Sequence, residues 1–151
     1  MNKIRVTKEF HFEMAHALYG YDGPCKNIHG HSYKLSVSII GEITEQENSP
    51  KNGMVVDFTV IKDIVKTNII DLYDHSLVLN GKSPHGKLID EKKMFGKIIL
   101  VDYQPTCENL LVDFVKKIIP HLSDKMKLHH LRLSETATSC AEWYAEDNNA
   151  V

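Results

Sequence analysis

Long hydrophobic runs are missing from this 151-residue chain. No segment approaches the roughly eighteen consecutive apolar residues that cross a bilayer as a helix, and the opening MNKIRVTKEFHFEMAHAL lacks the continuous apolar stretch of a secretory leader. The expectation is a soluble, unprocessed, cytoplasmic protein with no membrane partner. An excess of either charge is missing too: 18 Lys and Arg stand against 20 Asp and Glu, for a formal charge of −2. That excludes the basic field with which proteins hold nucleic acid and leaves a small molecule as the default ligand. Cysteine is scarce. Cys25, Cys107 and Cys140 cannot all pair, do not form a secreted framework, and include no C-x2-4-C pair of a structural zinc site. Gly-rich nucleotide fingerprints, internal repeats and low-complexity tracts are absent as well. With 42% hydrophobic residues, the length suits one domain, 1–151, with its own core.

Histidine, by contrast, is plentiful at nine residues, and position decides which of them matter. From Ile4 to Ala17 the pattern alternates, with Phe10, Phe12, Met14 and His16 on one face and Glu9, His11, Glu13 and Ala15 on the other, as a half-buried strand requires. After the turn-rich YGYDGPCKN, a second strand alternates through Tyr33, Leu35, Val37 and Ile39, and counting back by twos reaches His31 and His29. The polar stretch from Glu45 to Gly53 is a candidate hairpin connection between two neighbouring strands. Asp57 is placed to cap a helix whose apolar stripe is Ile61, Ile64, Val65, Ile69 and Leu72. Thr106 is placed to cap a second, with Leu110, Leu111, Phe114, Val115, Ile118 and Ile119 as its stripe and Pro120 as its stop. Phe95–Tyr103, Lys127–Leu133 and Cys140–Ala145 read as further strands, the first preceded by a charged loop from Gly81 to Met94. The sum is α+β: a mostly antiparallel sheet with two amphipathic helices on one face.

Residues i and i+2 of a strand share a face about 6–7 Å apart, so His29 and His31 can turn their rings to one ion, with Gly30 keeping the backbone between them uncrowded. His16, on the matching face of an adjacent strand, makes three neutral nitrogens. That is the ligand set of a catalytic zinc site with an open fourth position. Cys25 has two readings: a fourth ligand, which would close the site, or a thiolate near a cation, acting as base or nucleophile. Asp74-His75 can shape a turn after the first helix, and Glu135 can be a solvated carboxylate ending a strand. Glu108 is explained by the helix dipole, while Cys107 and Cys140 sit where small packing residues suffice. His129 and His130 point to opposite sides of their strand and cannot jointly chelate. His11, His85 and His121 read as surface or local residues.

Six fragments, FEMAHAL, CKNIHGHSY, GMVVDFTVIK, DHSLVLN, PTCENL and SETATSCAEW, together resemble the superfamily of 6-pyruvoyl- and 6-carboxy-tetrahydropterin synthases, in that order along most of the chain. The resemblance implies the tunnelling fold: a four-stranded antiparallel sheet with a helix pair, assembling into a multi-subunit barrel, usually a homohexamer of two trimers. It implies zinc on His16, His29 and His31, the set already reached from strand parity. It also implies Cys25 as the catalytic thiol, Asp74 and His75 as a proton relay completed partly by a neighbouring subunit, Glu135 as anchor of the pterin's guanidine-like edge, and Thr106 as a pocket-lining residue. The spacing Cys-x3-His-x-His is similar to the bacterial carboxy branch, of the queuosine pathway, whereas the pyruvoyl branch looks like Cys-x5-His-x-His. A folate-linked branch carries Glu in place of the cysteine. The segment from Gly81 to Gln104 departs from compact members by its length.

The reaction implied is conversion of 7,8-dihydroneopterin triphosphate to 6-carboxy-5,6,7,8-tetrahydropterin, acetaldehyde and triphosphate, a carbon–carbon lyase reaction. Zinc would serve as a Lewis acid and Cys25 as the base. The alternatives are the sister 6-pyruvoyl-tetrahydropterin synthase reaction, cleavage of dihydroneopterin itself, or a non-catalytic zinc- or pterin-binding module.

Overall fold

The computed structural model describes residues 2–89 and 94–148. Two 14-residue strands, β1 (Lys3–His16) and β2 (His29–Glu42), dominate it. They pair antiparallel over their whole length, from Lys3 opposite Glu42 to His16 opposite His29. Strict alternation explains the length: one face of each strand is apolar and buried, so a slip of one residue would turn every core side chain to water. Apart from short 3-10 turns, the other elements among the described residues are α1 (Phe58–Val65), a π-helical turn (Lys66–Ile70), α2 (Asp71–Tyr73), β3 (Ser76–Asn80), β4 (Ile98–Val101), α3 (Cys107–Ile118), β5 (Lys127–Ser134) and β6 (Cys140–Tyr144).

The sheet has six strands in the order β4-β3-β1-β2-β5-β6. Four of them, β1, β2, β5 and β6, make the expected antiparallel set. The expectation of four strands is corrected by β3 and β4, which add in parallel, β3 against the end of β1 and β4 against β3. SLVLN gives β3 too few alternating residues to announce a strand, and its pairing depends on a crossover rather than a local turn. The stretch from Glu45 to Gly53 is not a hairpin between strands. It folds back on itself through Thr44 N–H to Met54 O (2.9 Å) and Gly53 N–H to Thr44 O (2.8 Å) and then delivers the chain to α1.

Both helices lie on one face. Phe12, Met14, Tyr33, Leu35, Val37, Leu131 and Leu133 meet Ile61, Val65, Ile69, Leu110 and Phe114 in one core cluster, and each such side chain contributes about 1.5–3 kcal/mol by leaving water. Phe12 and Tyr33, opposite each other in the register, stack at 5.2 Å between centroids. The caps are as expected: Asp57 accepts from Thr59 N–H and Thr106 from Asn109 N–H. The stripe of the first helix is as expected at Ile61, Val65 and Ile69 but not at its end. The π turn inserts a residue, so the buried series runs Ile61, Val65, Ile69, Tyr73, with Tyr73 3% exposed and Leu72 46%. The opposite sheet face is polar, with Lys34 bridging to Glu9 and Ser32 donating to Glu13.

Candidate active site

His16, His29 and His31 converge at one end of the β1–β2 pair, where the register sets His16 opposite His29. One potential ligand atom from each lies within 4.8 Å of the others. The tautomers of two are fixed by carbonyls, which can only accept: His16 Nδ1–H donates to Pro105 O (2.7 Å) and His29 Nδ1–H to Asn27 O (2.8 Å). Both Nε2 atoms are therefore lone pairs, and they face each other at 3.0 Å. Two acceptors do not attract at that distance. Nitrogens each about 2.0–2.1 Å from one zinc ion at a tetrahedral angle stand about 3.3–3.4 Å apart, so the donor set fits a cation between them. Backbone carbonyls behind the imidazoles are the usual means of orienting such ligands. Burial lowers the His16 pKa, with the Pro105 carbonyl opposing, which keeps this ring neutral and available as a ligand.

Glu135 joins this cluster from the end of the β5–β6 hairpin. Its Oε1 is 3.6 Å from His16 Nε2 and 3.9 Å from His31 Nε2, and it accepts a 3.0 Å hydrogen bond from the Tyr33 hydroxyl. Burial first, and Glu135 second, push the Tyr33 pKa far up, so the phenol stays a donor. Cys107, the next thiol along the core, donates to Leu133 O and is pushed up to about 12 by burial and by Glu135; it is an inert packing residue.

Cys25 sits half-buried on the short turn Pro24–Lys26, tied by Leu18 N–H to its carbonyl. It is not part of the three-histidine cluster, so the reading of Cys25 as a fourth ligand has no geometric support. Thr106 caps α3 and adjoins Pro105, whose carbonyl orients His16.

No hydrogen bond or ion pair among the described residues joins Asp74 and His75 to Cys25. They form a dyad of their own: Asp74 Oδ2 is 3.0 Å from His75 Nδ1, while Glu13 N–H donates to Asp74 Oδ1 at 2.9 Å. That amide holds the Asp74 carboxyl below its usual range; burial opposes it, and His75 and Lys97 add to the lowering. His75 and His31 line one cleft of about 590 Å³ with Glu13, Ile28, Phe95 and Lys97. The sequence showed the histidines but not Tyr33 or Lys97, nor the two carbonyls. Tyr33 read as core, and no local pattern signals a carbonyl's partner.

The chain matches the family model described as 6-pyruvoyl tetrahydropterin synthase over residues 5–146. It is 36% identical to the 6-carboxy-5,6,7,8-tetrahydropterin synthase of Haemophilus influenzae, over 93% of this chain and 98% of that one. It is 30% identical to the synthase of the same name from Aquifex aeolicus, over 95% and 99%. In structure it is similar to an uncharacterized protein from Wolinella succinogenes (TM-score 0.77, 18% identity, 95% and 99% covered). The 6-pyruvoyl tetrahydropterin synthase of Caenorhabditis elegans shares the fold at a TM-score of 0.67 and 22% identity, with 95% and 96% covered.

Proposed function

Because the chain belongs to the 6-pyruvoyl tetrahydropterin synthase family, we infer that it is a lyase converting 7,8-dihydroneopterin triphosphate to 6-carboxy-5,6,7,8-tetrahydropterin, acetaldehyde and triphosphate. This places it in the queuosine pathway. The observation that carries the reading is the pair of imidazoles whose Nδ1–H groups are taken by Pro105 and Asn27, turning both Nε2 lone pairs to one point. Zinc held by His16, His29 and His31 would polarise the oxygens of the substrate side chain and make the neighbouring C–H acidic.

The chain's own residues do the rest. Cys25, as thiolate, takes the proton from the side-chain carbon. His75 carries protons on Nε2, because Asp74 holds its Nδ1–H and so fixes tautomer and ring direction. Glu135 binds the guanidine-like edge of the pterin, with Tyr33 steadying Oε1. The Thr106 hydroxyl, accepting from Asn109, retains its proton to donate into the pocket.

Assembly into a barrel of identical subunits, a hexamer of two trimers, completes the relay between copies. Two features support it. No hydrogen bond or ion pair among the described residues joins Cys25 to the dyad, and β1 pairs with β3 over Met14–His16, leaving most of that strand edge open for another strand. The family model spans residues 5–146, which supports reading 1–151 as one domain, and the proposed compartment is that of a bacterial metabolic enzyme, the cytoplasm. Among the described residues no helix is long and apolar enough to cross a membrane.

Incubation of the zinc-loaded protein with 7,8-dihydroneopterin triphosphate, with identification of the pterin and an acetaldehyde assay, tests this. Carboxytetrahydropterin with acetaldehyde is expected. Pyruvoyl-tetrahydropterin without acetaldehyde would assign the sister reaction, and binding without turnover would leave only a pterin-binding module.

A further inference from the structure

His75 is the one non-glycine residue with positive φ among those described, at 57°. Left-handed backbone at such a residue persists only where its surroundings over-determine it. The peptide that links Asp74 to His75 is pinned at both ends. Its N–H, on His75, donates to Glu13 O at 2.6 Å. Its C=O, on Asp74, accepts from Lys97 Nζ at 2.8 Å, and the same ammonium donates to Asp71 O at 2.8 Å.

We propose that Lys97 is a positioning residue for the Asp74–His75 dyad, reaching back from the Gly81–Gln104 segment to fix the plane of the peptide between them. The proposal rests on the dyad's role in the reading above. Capping the last carbonyls of α2 with a cation is stabilising by itself, but the carbonyl chosen here is the one whose plane sets the φ of His75. The imidazole has few other restraints. Its side chain is 78% exposed and the group beside its Nδ1 is the Asp74 carboxylate at 3.0 Å, which Glu13 holds from the β1 side. Lys97 holds the elbow from the opposite side, anchored through Leu77 N–H to Lys97 O (3.0 Å) and by the parallel pairing of β4 on β3 that follows it. The long segment thereby gains a purpose: it brings an edge strand and one ammonium to the dyad, with Lys97 lining the same cleft as His31 and His75.

Lys97→Met and Lys97→Arg in the full-length zinc-loaded protein provide the test. In Lys97→Met, kcat should fall about 10- to 100-fold, as expected for misplacing a reacting group, with KM and bound zinc unchanged. Lys97→Arg, which also presents two donors, should recover most of the loss. The His75 ring resonances in a histidine-selective NMR spectrum should move in Lys97→Met while those of His121 stay in place. If Lys97→Met does not fold, Lys97→Gln, which keeps a shorter, uncharged amide donor group, carries the same measurements. A folded variant with wild-type kcat overturns the proposal. If the wild-type protein proves inactive, the assigned reaction fails, and unmoved His75 resonances still overturn the clamp on their own.

Discussion

The histidine cluster and the Asp74–His75 elbow are built in opposite ways. The cluster stands on two fully paired strands whose register alone sets His16 opposite His29, with carbonyls behind the rings and His16 only 2% exposed. The elbow stands at a helix end beside a short parallel strand. Its backbone is strained, its imidazole is open, and its geometry depends on hydrogen bonds from β1 and from Lys97. A metal site tolerates no movement and is given a rigid floor. The proposed proton relay would have to meet its partner and release it, and it is given an arm whose backbone is held while its imidazole stays open.

The largest effect should come from the floor. His31→Ala should lose zinc, measured as metal per chain, and turnover with it, by more than about 100-fold, since even the groups behind metal ligands are worth 10–100-fold. Cys25→Ala should lower kcat by about 10²–10⁴-fold, the range for a general base, while metal per chain stays at the wild-type value. Loss of zinc in that variant would return the thiol to the ligand set and erase the distinction between floor and arm. Thr106→Ala should cost about 1 kcal/mol of stability through its lost cap, seen as a melting temperature lower by about 2–4 °C for a chain of this size. A rise in KM beyond that shift would show the hydroxyl also touching the pterin.

The smallest effect concerns the arm at acid pH. Asp74 has a folded pKa below its unfolded one, so its contribution is complete above the unfolded value of about 3.9 and is lost as pH falls through the lower folded value. Asp74→Asn should therefore be less stable than wild type above pH 4 and should flatten the acid limb of a plot of melting temperature against pH. Parallel acid limbs for the two proteins would mean that the Glu13 amide and His75 do not favour the ionised carboxylate.

The two regions also differed in how far they could be read from the sequence. Parity is local, so counting by twos from Tyr33 and Met14 reached all three clustered histidines, and the Asp57 and Thr106 caps followed from residue type. Glu135 and the dyad were recognised through resemblance, because a carboxylate at a strand end and an Asp-His pair after a helix each have an ordinary structural explanation. Lys97 escaped altogether: its partners are backbone carbonyls far back along the chain, and a lysine beside a strand looks like any other. Strand β4 was legible within Phe95–Tyr103, but β3 and the parallel pairing of both strands escaped for a related reason, since what creates that pairing is the crossover and not their own composition.

The π turn at Lys66–Ile70 stores information as length. One inserted residue rotates everything after it by about 100° around the helix axis, which turns Tyr73 into the core in place of Leu72 and sets the direction in which the chain leaves toward Asp74 and His75. Removing a single residue there would leave every side chain of the site intact and still send the arm off in another direction. Among relatives of this chain, a gap of one position in that helix would therefore say more about the reaction than most substitutions around it.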